Sequence, residues 1–173
     1  MFEIERKFLV TNDVPYQDAI KIDKITQGFM STDPERVIRV RLVEELMDPH
    51  NISAFLTVKG KNVGIKRIEI ETEIDFGAAS DLLQNFCRGA QIIEKVRFTI
   101  PDRHGQLWEV DKFRTNNKGL IIAEIELESE DQEVILPMWV TGEVTNDHRY
   151  SNASLAQCPW PFEFDPNVLG GRP

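Results

Sequence analysis

Charged residues recur at every second position in seven separate stretches of this chain, and the residues between them are largely β-branched and apolar. Glu3, Glu5 and Lys7 alternate with Ile4 and Phe8. The same pattern returns at Arg39 and Arg41, Thr57 and Lys59, and Arg67, Glu69, Glu71 and Glu73. It returns again at Lys95 and Arg97, Glu109 and Asp111, and Glu124, Glu126 and Glu128. A period of two puts each group on one face of one strand. Carboxylates at i and i+2 are only ~7 Å apart along a strand. That spacing is unfavourable unless cations separate them. A chain with clustered Arg and Lys beside clustered Glu suits a polyanion held together with divalent metal.

Eight strands are expected, at Phe2–Val10, Lys21–Met30, Val37–Leu46, Ser53–Gly60, Lys66–Phe76, Ile92–Pro101, Gln106–Arg114 and Leu120–Ser129. Each is rich in Ile, Val, Phe and Thr and alternates as strands do. The breaks at 48–51, 60–64, 102–105 and 116–119 carry hairpin chemistry, and short consecutive connections favour antiparallel neighbours. Ala78–Phe86 reads as a short amphipathic helix. A second helix is expected to start at Ser129–Glu133 and end by Pro137, and a third to run over Ser151–Gln157. The expected organisation is one domain over residues 1–158 and an irregular tail over 159–173, with Trp160, Phe162 and Phe164 docking part of it.

The 173 residues carry a net charge of −9, which argues against a nucleic-acid or anionic-membrane surface. No apolar run approaches the ~18 residues of a membrane-spanning helix. Cys87 and Cys158 lie far apart without metal-ligand spacing. A cytoplasmic protein with reduced thiols is the simplest expectation. Gly60 and Gly64 read as turn residues rather than a phosphate loop, because no strand–glycine loop–helix arrangement surrounds them. His50 and His104 read as surface residues, and Trp108 and Trp139 as packing groups.

Alternation does not say which face points inward. A solvated sheet face normally interleaves its signs, because opposite charges attract across strands and like charges repel. Here the signs are sorted by strand. Eight strands also suffice to close a barrel that holds one small ligand. The expected fold is therefore predominantly antiparallel β, of α+β type: a closed eight-stranded β-barrel tunnel with a few short helices and its charge inside.

The segment Glu3-Ile4-Glu5-Arg6-Lys7 resembles the Glu-x-Glu-x-Lys signature of the CYTH superfamily, the triphosphate tunnel metalloenzymes. Arg39-x-Arg41, Lys59, Arg67-x-Glu69-x-Glu71, Glu94-Lys95-x-Arg97, Glu109-x-Asp111 and Glu124-x-Glu126 follow in the order of that family's strand motifs. Arg149-Tyr150, Asn152 and Leu155 resemble its C-terminal segment. The resemblance spans roughly residues 2 to 158 and is closest to the short, stand-alone bacterial branch. It implies an eight-stranded tunnel that binds a linear triphosphate with Mg²⁺ or Mn²⁺.

Chemistry and resemblance together assign Arg39, Arg41, Lys59, Lys95 and Arg97 to phosphate contacts, with Arg67 as a further candidate. Arg149 is expected to close over the substrate. Glu3, Glu5, Glu124 and Glu126 are the expected metal ligands, since hard cations take oxygen donors. Lys7, Glu69, Glu71, Glu109 and Asp111 are the expected catalytic or water-orienting groups. The resemblance implies hydrolysis of inorganic tripolyphosphate to pyrophosphate and phosphate, with a small-molecule partner, no nucleic acid and no membrane; a homodimer is compatible with it. The alternatives are a class IV-type adenylate cyclase, a thiamine-triphosphatase and a non-catalytic polyphosphate- or nucleotide-binding module.

Overall fold

The structure, a computed structural model, describes residues 2–33, 35–61, 63, 65–87 and 92–161. Among the described residues nine strands form one sheet: β1 (Phe2–Val10), β2 (Lys21–Ser31), β3 (Arg36–Glu45), β4 (Ile52–Gly60), β5 (Lys66–Glu73), β6 (Ile92–Pro101), β7 (Leu107–Phe113), β8 (Ile121–Glu126) and β9 (Val140–Glu143). The order β5-β4-β3-β2-β6-β7-β8-β1 closes on itself through pairing of β5 with β1. All of the pairings are antiparallel, as expected of a chain joined by short connections. The closing seam is thin. It rests on Phe2 opposite Ile68, Glu3 opposite Arg67 and Ile4 opposite Lys66.

The outward faces carry the apolar cores. Phe8, Ile100, Trp108, Val110, Ala123 and Ile125 pack with Val14, Leu127 and Trp139 outside the wall. Trp108 meets Trp139 edge-to-face at 5.4 Å, so both indoles are packing groups, as the sequence suggests. On another side α1 (Phe76–Asn85) covers Val40 and Ala54 with Ala79 and Leu83. Gly28 makes this approach possible, because a Cβ there would meet the Cys87 Sγ at 2.7 Å and Leu83 at 2.8 Å.

Inside, the lumen is not a uniform bore. At one end the inward positions turn apolar: Phe29, Val37, Ile93, Phe113 and Ile122 cluster with Leu155 and Ala156 of α2 (Asn152–Gln157). The helix α2 thus stops one end of the barrel. Ser151 caps it by accepting from the Ser154 N–H at 3.1 Å.

Several expectations change. Residues 129–133 form a turn rather than a helix, closed by the Gln132 N–H on the Ser129 carbonyl at 3.2 Å. Gln106 takes both backbone groups of Ile135, at 2.9 and 3.1 Å, which draws the following segment out along the outer core. Strand β9 was not expected; its four residues include Thr and Gly and give no alternation to read. β5 and β8 also stop three residues before their expected ends, at Glu73 and Glu126. Asn62 and Gly64 of one expected turn, and Phe162, Phe164 and the rest of the tail from 162, lie outside the described residues. Trp160 docks: its backbone N–H donates to the Asn117 side-chain oxygen at 2.8 Å and its ring covers Gly119. Among the described residues, no helix is long and apolar enough to cross a membrane.

Candidate active site in the barrel lumen

Cross-strand register builds the site. It sets Lys7 opposite Glu124, Glu5 opposite Glu126, Arg39 opposite Thr57, Lys59 opposite Glu69, and Arg97 opposite Asp111. Directly opposed residues have Cβ atoms ~4.5–5.5 Å apart, close enough for these side chains to pair. The charges that the sequence sorts by strand are thereby interleaved by the barrel.

Glu3 accepts from Lys59 Nζ at 2.9 Å and from Arg67 Nε at 2.7 Å. Lys59 also pairs with Glu69 at 2.6 Å, and Arg67 reaches Glu5 at 3.1 Å. Arg39 bonds the Thr57 hydroxyl at 3.1 Å and Glu71 at 3.2 Å. Lys7 bridges Glu5, at 3.0 Å, and Glu124. Arg97 is the hub of a second network. It forks onto Asp111 at 2.7 Å and bonds Glu124 at 2.6 Å and Glu109.

These side chains surround a cavity of about 710 Å³. Every expected site residue lines it except Lys95, Asp111 and Arg149. Lys95 and Asp111 are fully buried behind the lining, where they pair with each other. Both Asp111 oxygens are taken by Lys95 and Arg97, so this carboxylate braces Arg97 and does not meet a water in the cavity. Arg149, expected to close over the substrate, is more than half exposed and forks onto Asp147 at 2.6 Å. Its neighbour His148 lies at the cavity edge instead.

The electrostatics divide the lumen. Burial penalises the Glu3 charge, but bonding with Glu69 and the charges of Lys59 and Arg67 outweigh it and hold its carboxyl well below the usual range. Glu69 is pushed up by burial and by its bond with Glu3. Lys7 is raised above the usual lysine range, because Glu124 and Glu5 overcome its burial. Lys95 falls to about 8, through burial and the adjacent Arg97 charge.

Two lining groups stand apart. Among the described residues Arg41 makes no hydrogen bond or ion pair, and its Nε is buried without a partner. Glu126 likewise has no cation on it; burial and then Glu109, Glu3 and Glu5 raise its pKa. Among the described residues no three acidic, His or Cys side chains converge into a ready-made metal cage. The donor set nevertheless fits a hard divalent ion: it is all carboxylate oxygen, and the negative potential at Glu126 is what such an ion relieves.

Sequence reasoning missed the neutral part of the lining, Thr32, Thr145, Ser151, Asn152, Ser154 and Gln157. These residues lie on loops and on α2, where no period-two signal marks an inward side chain.

Known proteins resemble the chain closely. An inorganic triphosphatase of Acetivibrio thermocellus is 40% identical over 158 residues, covering 91% of this chain and 95% of the relative. An inorganic triphosphatase of Nitrosomonas europaea is 36% identical over 161 residues, covering 90% and 97%. The crystal structure of the inorganic triphosphatase NE1496 superposes with a TM-score of 0.59 at 33% identity, covering 89% of this chain and 97% of that one. No family model matches the sequence. With relatives matched at 40% and 36% identity over nearly their whole length and a solved inorganic triphosphatase of similar fold, this chain belongs to the triphosphate tunnel metalloenzyme (CYTH) family of inorganic triphosphatases.

Proposed function

We propose that this chain hydrolyses a linear triphosphate within the barrel, converting inorganic tripolyphosphate and water to pyrophosphate and phosphate. One observation carries the reading. One cavity holds both a guanidinium, Arg41, and a carboxylate, Glu126, that have no hydrogen-bond or ion-pair partner among the described residues. A complex of divalent cation and polyphosphate supplies the missing charge to each. The names of the relatives at 40% and 36% identity support the substrate.

Arg39, Arg41, Lys59, Arg67 and Arg97 line the cavity and grip the phosphate oxygens, the arginines by bidentate contact and the lysine as a compact charge. Positioning and electrostatic stabilisation are most of what phosphoryl transfer requires of a protein. Lys95 and Asp111 hold Arg97 from behind rather than touching substrate. Lys7 stays charged and fixes Glu5 and Glu124. Glu126 and Glu5, with Glu3 and Glu124 beside them, are the side chains to hold Mg²⁺ or Mn²⁺. When bound, that ion neutralises phosphate charge and acidifies a coordinated water. Glu69 is the carboxylate to accept a proton from the attacking water, since its pKa is raised and, unlike Glu126, it is not among the side chains to hold metal. Glu71 and Glu109 orient that water. Attack at the terminal phosphorus forms the new P–O bond as the bridging P–O bond breaks, and pyrophosphate leaves.

A second reading, hydrolysis of an organic triphosphate, is favoured by the neutral lining near α2. Phe29, Thr32, Val37 and Asn152 give the cavity a neutral wall against which a group beyond the phosphates could rest. Competition between tripolyphosphate, ATP and thiamine triphosphate, with phosphate, pyrophosphate and cyclic AMP all tracked, tests both. A higher kcat/KM for tripolyphosphate supports the first reading. A higher value for ATP or thiamine triphosphate supports the second, and cyclic AMP without phosphate release overturns both.

A further inference from the structure

Gln27 is the least expected side chain in the wall. It sits in the middle of β2, points inward with Ile25 and Phe29, and is 0% exposed. Among the described residues neither its Nε2 nor its Oε1 has a hydrogen-bond partner. Buried polar groups are almost always satisfied, so an amide orphaned at both ends needs a reason. Stability does not supply one, since an apolar side chain of the same shape would fit this position without loss.

The register supplies one. Gln27 lies directly opposite Arg41 on β3, so their Cβ atoms are ~4.5–5.5 Å apart. On its other flank stands Ile93, which offers no polar group. Arg41 lines the cavity without a partner among the described residues, and its Nε is itself buried and unsatisfied. Two adjacent side chains are therefore each short of a partner the other can provide: Arg41 has an Nε–H to donate and Gln27 an Oε1 to accept.

Charge explains why an amide serves here. The other lumen cations, Lys7, Arg39, Lys59, Arg67 and Arg97, are held by carboxylates. A carboxylate at Gln27 would neutralise Arg41 and compete with substrate. An amide accepts one hydrogen bond and leaves the full positive charge facing the cavity.

We propose that Gln27 is a positioning residue: when phosphates occupy the lumen, the neighbouring side chains close the short gap between them, Gln27 Oε1 accepts from the Arg41 Nε–H, and the two Nη groups are aimed at the phosphates. The inference rests on the triphosphatase reading of the lumen and adds a residue to it. Gln27 does not line the cavity and touches no substrate.

The test is a double-mutant cycle of Gln27→Met and Arg41→Ala, read by tripolyphosphate hydrolysis with Mg²⁺ and by thermal unfolding. Gln27→Met is expected to keep or raise the unfolding midpoint, because it removes two orphaned polar atoms. It is expected to raise KM for tripolyphosphate by about 10- to 100-fold, the loss of one hydrogen bond to a charged group, with a smaller change in kcat. The double variant should be no worse than Arg41→Ala alone, since Gln27 acts only through that guanidinium. Gln27→Glu should also raise KM while folding normally, which keeps the test decisive if the methionine variant unfolds. Wild-type kinetics in both Gln27 variants, or single effects that multiply in the double variant, overturn the inference. A wild-type chain that neither binds nor hydrolyses tripolyphosphate overturns the underlying reading as well.

Discussion

Glu124 and Glu126 lie on the same face of β8, one residue apart, and their acidities shift in opposite directions. Burial opposes ionisation of both. At Glu124 the charges of Lys7 and Arg97 overcome it, so its carboxyl titrates well below the usual range. At Glu126 burial is joined by repulsion from Glu109, Glu3 and Glu5, and the carboxyl titrates above its usual value.

Their neutral variants should therefore differ in kind. Glu124→Gln leaves Lys7 and Arg97 short of a buried partner and should destabilise the fold by about 3 kcal/mol at pH 7. The stabilisation from Glu124 is present above its unfolded-state pKa and is lost as pH falls through the depressed folded value. Glu126→Gln should leave stability at pH 7 unchanged or higher, because it removes a repelled charge. Denaturant titration of the two variants decides this; equal destabilisation would contradict it.

Arg41→Ala should fold as the wild type does, since among the described residues this side chain forms no ion pair. Its kcat/KM for tripolyphosphate should drop by about 100-fold or more, the usual cost of removing one preorganised charge from a phosphate or oxyanion site. Steady-state kinetics beside a thermal melt measure both. A stable variant with unchanged kcat/KM would remove Arg41 from the site.

The Lys95 ammonium, lowered to about 8 by burial and the Arg97 charge, gives activity and stability opposite pH trends. As pH rises through 8, Lys95 loses its charge and Asp111 loses one of its two cations, so the support behind Arg97 weakens and kcat/KM should fall. Between about 8 and the unfolded lysine value of ~10.4 the unfolded chain holds the proton and the folded chain does not, so this group's contribution to stability should rise with pH. Lys95→Arg should move the alkaline limb of the kcat/KM profile upward. An unmoved limb would assign it to another group.

Divalent metal alone should raise the melting temperature of the wild type, since a ligand that binds only the native state stabilises it by mass action. Glu126→Gln should abolish most of that shift, because among the described residues Glu126 is a lumen carboxylate with no cation paired to it. Thermal scans across Mg²⁺ and Mn²⁺ concentrations provide the measurement. A full shift in the variant would place the ion elsewhere.

The barrel and most of its lining are legible in the sequence for one physical reason: a strand's period of two assigns every charged position to a face, and thirteen expected residues from Glu3 to Glu126 do face the cavity. Depth is what the period does not encode. Lys95 and Asp111 share parity with Arg97 and Glu109, yet the register buries the first pair together and leaves the second at the surface of the cavity. Arg149 follows β9 in a short turn, where no periodicity sets its direction and the nearby Asp147 captures it. The apolar stop at one end was hidden in plain alternation, since Phe29, Val37 and Ile122 read as ordinary core until α2 is seen to close over them.

The most direct test of the whole account follows tripolyphosphate by phosphorus NMR in the presence of purified protein, with and without Mg²⁺ or Mn²⁺. The expected result is phosphate and pyrophosphate formed in equal amounts, only when metal is present, with the pyrophosphate left intact. No turnover, or turnover that persists at full rate after chelation of all divalent metal, would contradict it.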